Sequence, residues 1–249
     1  MITAELLRIR KNRPLWIWAV VLTTGAVTAG YVIAQGFHWN DPQSNGPAGG
    51  ADNMHPGLAI ISLIGGVAAA IVGTSVGTSD LTAGVFRDLV VTGRSRIGLF
   101  FAKVPGMLLF WLPLILVAFV VLVGFDFAFA GNLPTPSLTQ IVKDGAWALL
   151  VTSITLCVSL GVASVIGSRG ISIGVLLGWE LAATPLLLNI NALGVTREAL
   201  LGAAVRRIQP FSSEQTSAGM SLAAAVLVLT LWVVVPLAAG AWRTATRDV

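Results

Sequence analysis

Three groups of residues have types that could do chemistry. Gly73-Thr74-Ser75-Val76-Gly77 has the G-x-S-x-G spacing that presents a serine nucleophile in hydrolases and intramembrane proteases. A nucleophilic serine needs a base within hydrogen-bond reach. The only histidines are His38 and His55. His55 precedes Ser75 by 20 residues, roughly 30 Å along a helix, which puts the two at opposite faces of a membrane. The pattern therefore reads as packing glycines with a serine between them. His38, Asp41, Asp52 and His55 are metal-ligating types in a single loop, but their spacing fits no compact site and no metal is assigned. The third candidate is Glu180, an acid deep within an apolar stretch. Such a group is costly in a bilayer unless it faces a cavity, a partner or a proton. Either a cavity-lining, gating role or a structural carboxylate bonded to Ser, Thr or Trp neighbours is compatible with its position.

Chemistry at these positions has to be arranged by membrane helices. Hydrophobic residues make up 55% of the 249-residue chain and charged residues 10%, where a soluble domain carries about 25% charged residues. Too few charges remain to cover a water-soluble surface. The net charge of +4 is then explained by the bias of Lys and Arg toward cytoplasmic loops, and no nucleic-acid partner is expected. The single cysteine, Cys157, excludes an intrachain disulfide.

Residues 3–13 read as an amphipathic helix with Thr3 as its cap, within an interfacial segment 1–14. The uncharged run Leu15–Ala34 is 20 residues long, beyond the 7–15 or so of a signal-peptide core, and reads as an uncleaved first span entered at Pro14. Six stretches have the roughly 20 apolar residues a span needs: about 15–35, 57–78, 99–124, 145–167, 171–192 and 218–241. Only the fifth carries an ionisable side chain deep inside, and Pro105 and Pro113 should kink or break the third. With the N-terminus inside, eleven Lys and Arg fall on the cytoplasmic side and four (Lys143, Arg197, Arg206, Arg207) outside, so both termini are expected in the cytoplasm. Residues 36–56 read as a flexible external loop, Arg169 as a tight turn between spans four and five, and 196–209 as an external helix capped by Thr196 and stopped before Pro210.

Small residues recur every fourth position at Gly65, Ala69, Gly73 and Gly77 in the second span, and at Gly170, Gly174 and Gly178 in the fifth. Such stripes let helix backbones approach closely in lipid. The eight tryptophans mostly fall near span ends, as in aromatic belts. No G-x-x-x-x-G-K-[ST] phosphate loop is present, so work driven by nucleotide hydrolysis needs an ATPase on another chain.

Asp80 to Lys103 is a charged, helix-patterned island between two spans, suited to lie at the membrane interface or in a partner's groove. Asp80, Gly84-Val85-Phe86-Arg87, Leu89-Val90, Gly93-Arg94-Ser95-Arg96 and Lys103 follow closely the spacing of a motif in the permease subunits of type-2 ABC exporters. There the pattern is an acid, Gly-Thr-x-Arg, a Leu-Leu pair, Pro-x-x-Arg and a Lys at the start of the third span. Asp80 replaces the usual Glu, Val85 the Thr, Val90 the second Leu and Gly93 the Pro, so a bend at Gly93 is not implied. The chain also resembles this family in its basic N-terminal helix, six spans, short turn between spans four and five, and external helix before the last span.

The resemblance implies an all-α single transmembrane domain over 1–249, in a bacterial plasma membrane. It implies a coupling segment 80–98 that docks on a separate ATPase subunit, which would bind the ATP and Mg, and a second permease copy or close homologue as partner. Asp80, Gly84, Arg87, Asp88, Arg94, Arg96 and Lys103 are the implied coupling residues. Arg87, Arg94 and Arg96 would anchor the segment to the partner or to lipid phosphates, while Asp80 and Lys103 would hold its two ends against neighbouring helices. Spans two and five, with both glycine stripes and Glu180, would line the central path and the permease–permease interface. The chain itself is expected to do no bond chemistry. The alternatives are a secondary transporter or channel-like protein, which usually shows more intramembrane charge and inverted repeats, and a membrane enzyme, for which no convergent catalytic set is present.

Overall fold

The computed structural model describes residues 2–82, 95–210 and 220–246, and among these every regular element is a helix. The amphipathic helix α1 (Ile2–Lys11) is followed by six helices long and apolar enough to cross a membrane. These are α2 (Arg13–Asn40), α3 (Met54–Thr82), α4 (Arg96–Ala128), α5 (Leu138–Ile166), α6 (Arg169–Asn189) and, after a short helix α7 (Leu201–Arg207), α8 (Leu222–Thr246). The chain is thus a multi-pass membrane protein by the length and composition of its helices.

Local chemistry sets the helix ends. Asn12 leaves helical geometry between α1 and α2, where Pro14 can occupy the first turn at no hydrogen-bond cost. Thr3 lies inside α1 and does not cap it. Ser95 and Ser137 cap α4 and α5 by accepting from the amides of Gly98 and Gln140. α5 ends at Gly167 in the left-handed region (φ 76°), its N–H returned to the Ala163 carbonyl, and α6 begins two residues later at Arg169. Pro105 and Pro113 lie inside α4 without ending it.

The bundle is organised around α3 and α5. A Cβ at Gly73 would sit 2.6 Å from the Leu156 carbonyl oxygen, and one at Gly77 2.8 Å from that of Leu160. At Gly65 the nearest atom is an ordinary 3.7 Å away, on Thr152. The closest approach among the described glycines lies elsewhere: a Cβ at Gly161 on α5 would meet the Pro236 carbonyl group of α8 at 2.4 Å. Trp111 on α4 donates to the Thr152 hydroxyl at 3.1 Å, which ties the third span into this core.

Two expectations change here. The loop after α2 is held against the end of α4, not left loose. Gly49 and Gly50 donate to the Phe129 and Asp126 carbonyls, and Ala48 donates to the Gln35 side chain. Glycine permits this contact, since a Cβ at Gly49 would fall 2.6 Å from the Asp126 carbonyl oxygen. The expected helix over 196–209 is broken: a 3-10 segment Asn191–Ala199 precedes extended Leu200, and α7 covers only Leu201–Arg207. Thr196 spends its hydroxyl on the Leu193 carbonyl one turn back and caps nothing.

Candidate functional site

At the bundle end that carries α1, four ionisable side chains converge from three helices. Asp80, near the end of α3, is 5% exposed, and Lys103, two turns into α4, is 6% exposed. Lys103 Nζ lies 2.7 Å from Asp80 Oδ2 and also donates to the Val76 carbonyl. The other carboxylate oxygen of Asp80 accepts from the Arg8 guanidinium. Glu5, one turn before Arg8, lies 3.9 Å from it. Burial, and then the nearby charge of Asp80, pushes the Glu5 carboxyl above the ordinary glutamate range. α1 reaches this knot because α4 has Gly106 beneath it, where a Cβ would approach the Glu5 Cβ to 2.8 Å.

The described part of α3 runs to Thr82, and α4 starts at Arg96 after its cap Ser95, so Asp80, Arg96 and Lys103 of the expected segment stand within helices. Gly84, Arg87, Asp88 and Arg94 fall outside the described residues. Asp80 and Lys103 were expected to hold the two ends of the segment against neighbouring helices. They pair with each other across α3 and α4, and Asp80 also pairs with Arg8 of α1. Arg96 donates to the Ala245 carbonyl, near the C-terminus of α8, at 3.2 Å. That contact joins the first turn of α4 to the last turn of α8.

Ser75 donates to the Ile71 carbonyl within α3, as a helical serine does when it has no other role. His38 Nδ1 donates to the Asn45 carbonyl, and Asp41 accepts from the amides of Gln43 and Ser44; a hydrogen bond from the Ser44 side chain, and then those amides, hold its carboxyl below the ordinary range. No three His, Cys, Asp or Glu side chains among the described residues are grouped to hold a metal ion.

Glu180 lies in a π-helical turn, Trp179–Ala183, that interrupts α6. It lines a cavity of about 250 Å³ between α6, α5 and α3, closed at one side by Leu201 and Trp232. Gly66, Val67 and Ala70 form the α3 wall, and Thr155, Val158 and Ser159 part of the α5 wall. The Thr155 and Ser159 hydroxyls are spent on carbonyls of their own helix, which leaves the walls apolar around a single carboxylate. On the same helix Gly170, Gly174 and Gly178 meet nothing within 4 Å, so that stripe packs against no helix of the described chain.

Sequence reasoning missed the partners of Asp80. Glu5 and Arg8 are spaced for one helix face, and Gly106 marks the place where that helix could approach, but no pattern linked the two segments. It also placed ionisable groups deep in the fifth span alone. Lys103 and Asp80 lie buried in α4 and α3, and Asp126, 0% exposed near the far end of α4, accepts from the Tyr31 hydroxyl at 2.6 Å. A single acid at the edge of an apolar run reads as loop in a sequence. No family model matches this chain, and no curated protein matches it either.

Proposed function

We propose that this chain is the permease subunit of an ATP-driven ABC exporter, forming a translocation path as a dimer and driven by separate ATPase subunits. The observation that carries this reading is the ionic knot of Arg8, Asp80 and Lys103. It ties α1, the end of α3 and the start of α4 together beside residues 83–94, where the sequence resembles the coupling segment of such permeases. A push on that segment is then delivered to three helices as one unit, through a buried Asp80–Lys103 pair that solvent screens little and a half-buried Arg8 at its edge. α3 carries the push to the cavity wall at Gly66, Val67 and Ala70, opposite Glu180.

Two further features support the reading. The sequence lacks a phosphate-binding loop, so hydrolysis belongs to a partner. Spans α6 and α8 have only 11% of their most apolar stretches buried, which leaves apolar faces for lipid and for a second copy. In this reading the basic end, with both termini, lies in the cytoplasm of a bacterial cell, and the ATP and Mg are held by the partner.

The test is co-purification with an ATPase subunit carrying a phosphate loop, followed by ATPase measurement in proteoliposomes. Wild-type chain should retain the ATPase, whereas Arg87→Glu with Arg94→Glu should release it and leave membrane insertion intact. Transport by the purified chain with no ATPase present would overturn the proposal in favour of a secondary transporter.

A further inference from the structure

The cavity beside Glu180 holds an imbalance that the rest of the bundle does not correct. Among the described residues no Lys, Arg or His pairs with this carboxylate, whereas Asp80 draws two cations. A carboxylate among apolar walls in a membrane is costly until a positive charge meets it. The volume of about 250 Å³ equals roughly eight water molecules at about 30 Å³ each, which is room for a small organic molecule. The walls offer a hydrated inorganic ion few groups to replace its water.

The aromatic groups favour the same class of ligand. Trp179 and Trp232 line the cavity with their rings 5.9 Å apart and tilted by 37°. The Trp232 indole is fixed by donation to the Ala199 carbonyl at 2.9 Å. The buried Trp179 Nε1 has no acceptor among the described residues. Indole faces attract organic cations, and desolvation strengthens that attraction.

We propose that this cavity binds a lipophilic cation, an amine or quaternary ammonium on an apolar body, with Glu180 as counter-ion and Trp179 and Trp232 as the aromatic wall. That such a cation is the transported substrate rests on the permease reading above; that it binds here does not.

The experiment uses the full chain alone in lipid nanodiscs. Tritiated phenyltrimethylammonium binding is read by scintillation proximity, and tert-butylbenzene, its neutral isostere, is the competitor, with empty nanodiscs as the partition blank. Wild-type protein should prefer the cation by about tenfold or more, and Glu180→Gln should abolish that preference. Trp179→Leu should weaken the cation more than the isostere. Equal binding of the two probes to wild-type protein would overturn the proposal, as would a preference that survives in Glu180→Gln. The wild-type comparison alone decides the matter if the variant does not fold. Loss of ATPase recruitment with the cation preference intact would sink the permease reading only. A chain that recruits its ATPase but shows no cation preference would sink the substrate class only.

Discussion

The two ends of the bundle bury carboxylates by opposite means. At the basic end, Asp80 is neutralised by Lys103 and Arg8, which reach it from two other helices. At the far end, Asp126 is fully buried and takes a phenol, the Tyr31 hydroxyl, while its second oxygen finds no donor among the described residues. Asp144, in the first turns of α5, is as buried and also leaves one oxygen with no donor among the described residues. One end is held by ion pairs, whereas at the other Asp126 is met by a hydrogen bond between groups that need no charge. The bias of Lys and Arg toward one side of a membrane explains the division, since cations are plentiful at one end and scarce at the other. It also assigns different work. Ion pairs between helices transmit displacement, whereas a neutral hydrogen-bonded seal fixes loop 41–53 against α4.

The largest test of this contrast is Asp80→Asn. Removing the acid leaves Lys103 buried without a counter-charge, and breaking a buried pair in this way costs about 3–5 kcal/mol. SDS-induced or thermal unfolding in detergent should show that loss. An unchanged midpoint would mean that the knot is solvated and does not join the helices. Tyr31→Phe at the other end should cost less, about 1–3 kcal/mol, because it removes one donor from a buried acceptor. Full stability in that variant would show that water replaces the phenol. Asp126→Asn sharpens the comparison most directly, because it repeats the first substitution in the neutral seal. The amide can still accept from Tyr31, so stability should stay within about 1 kcal/mol of wild type. A loss equal to that of Asp80→Asn would mean that both ends depend on charge.

The contrast also explains what the sequence made legible. Six spans could be read because helix formation in lipid needs only length and apolarity, and the described helices Met54–Thr82 and Arg96–Ala128 extend the expected 57–78 and 99–124 by only a few residues. The knot was half legible. Asp80 and Lys103 stood out as charges flanking a polar segment, but their pairing depends on α3 lying beside α4, and Arg8 joins only because α1 folds back onto Gly106. The far seal was not legible, since Tyr31 and Asp126 are 95 residues apart and neither interrupts a pattern. The glycine stripes show the same limit. A four-residue repeat marks a face on which close approach is possible, and tertiary packing decides which faces are used. Gly73 and Gly77 meet α5, while Gly170, Gly174 and Gly178 meet no helix of the described chain.

The smallest effect belongs to Glu5, the member of the knot left over after charge pairing. Asp80 takes both cations at close range, so Glu5 retains one buried oxygen with no donor among the described residues. Burial first, and then repulsion from Asp80, raises its folded-state pKa above the ordinary value. Folding therefore favours the protonated acid. Its contribution to stability is complete below the unfolded value of about 4.3 and is lost as pH rises through the higher folded value. Wild-type protein should accordingly lose stability across that window relative to Glu5→Gln, which holds a neutral amide in the same place at every pH. Melting temperatures of the two proteins, measured in the same detergent from about pH 4 to pH 8, should converge at the acid end and separate toward neutrality, with the variant higher. Parallel curves would show that Glu5 is solvated, and that α1 rests on α4 without closing the knot.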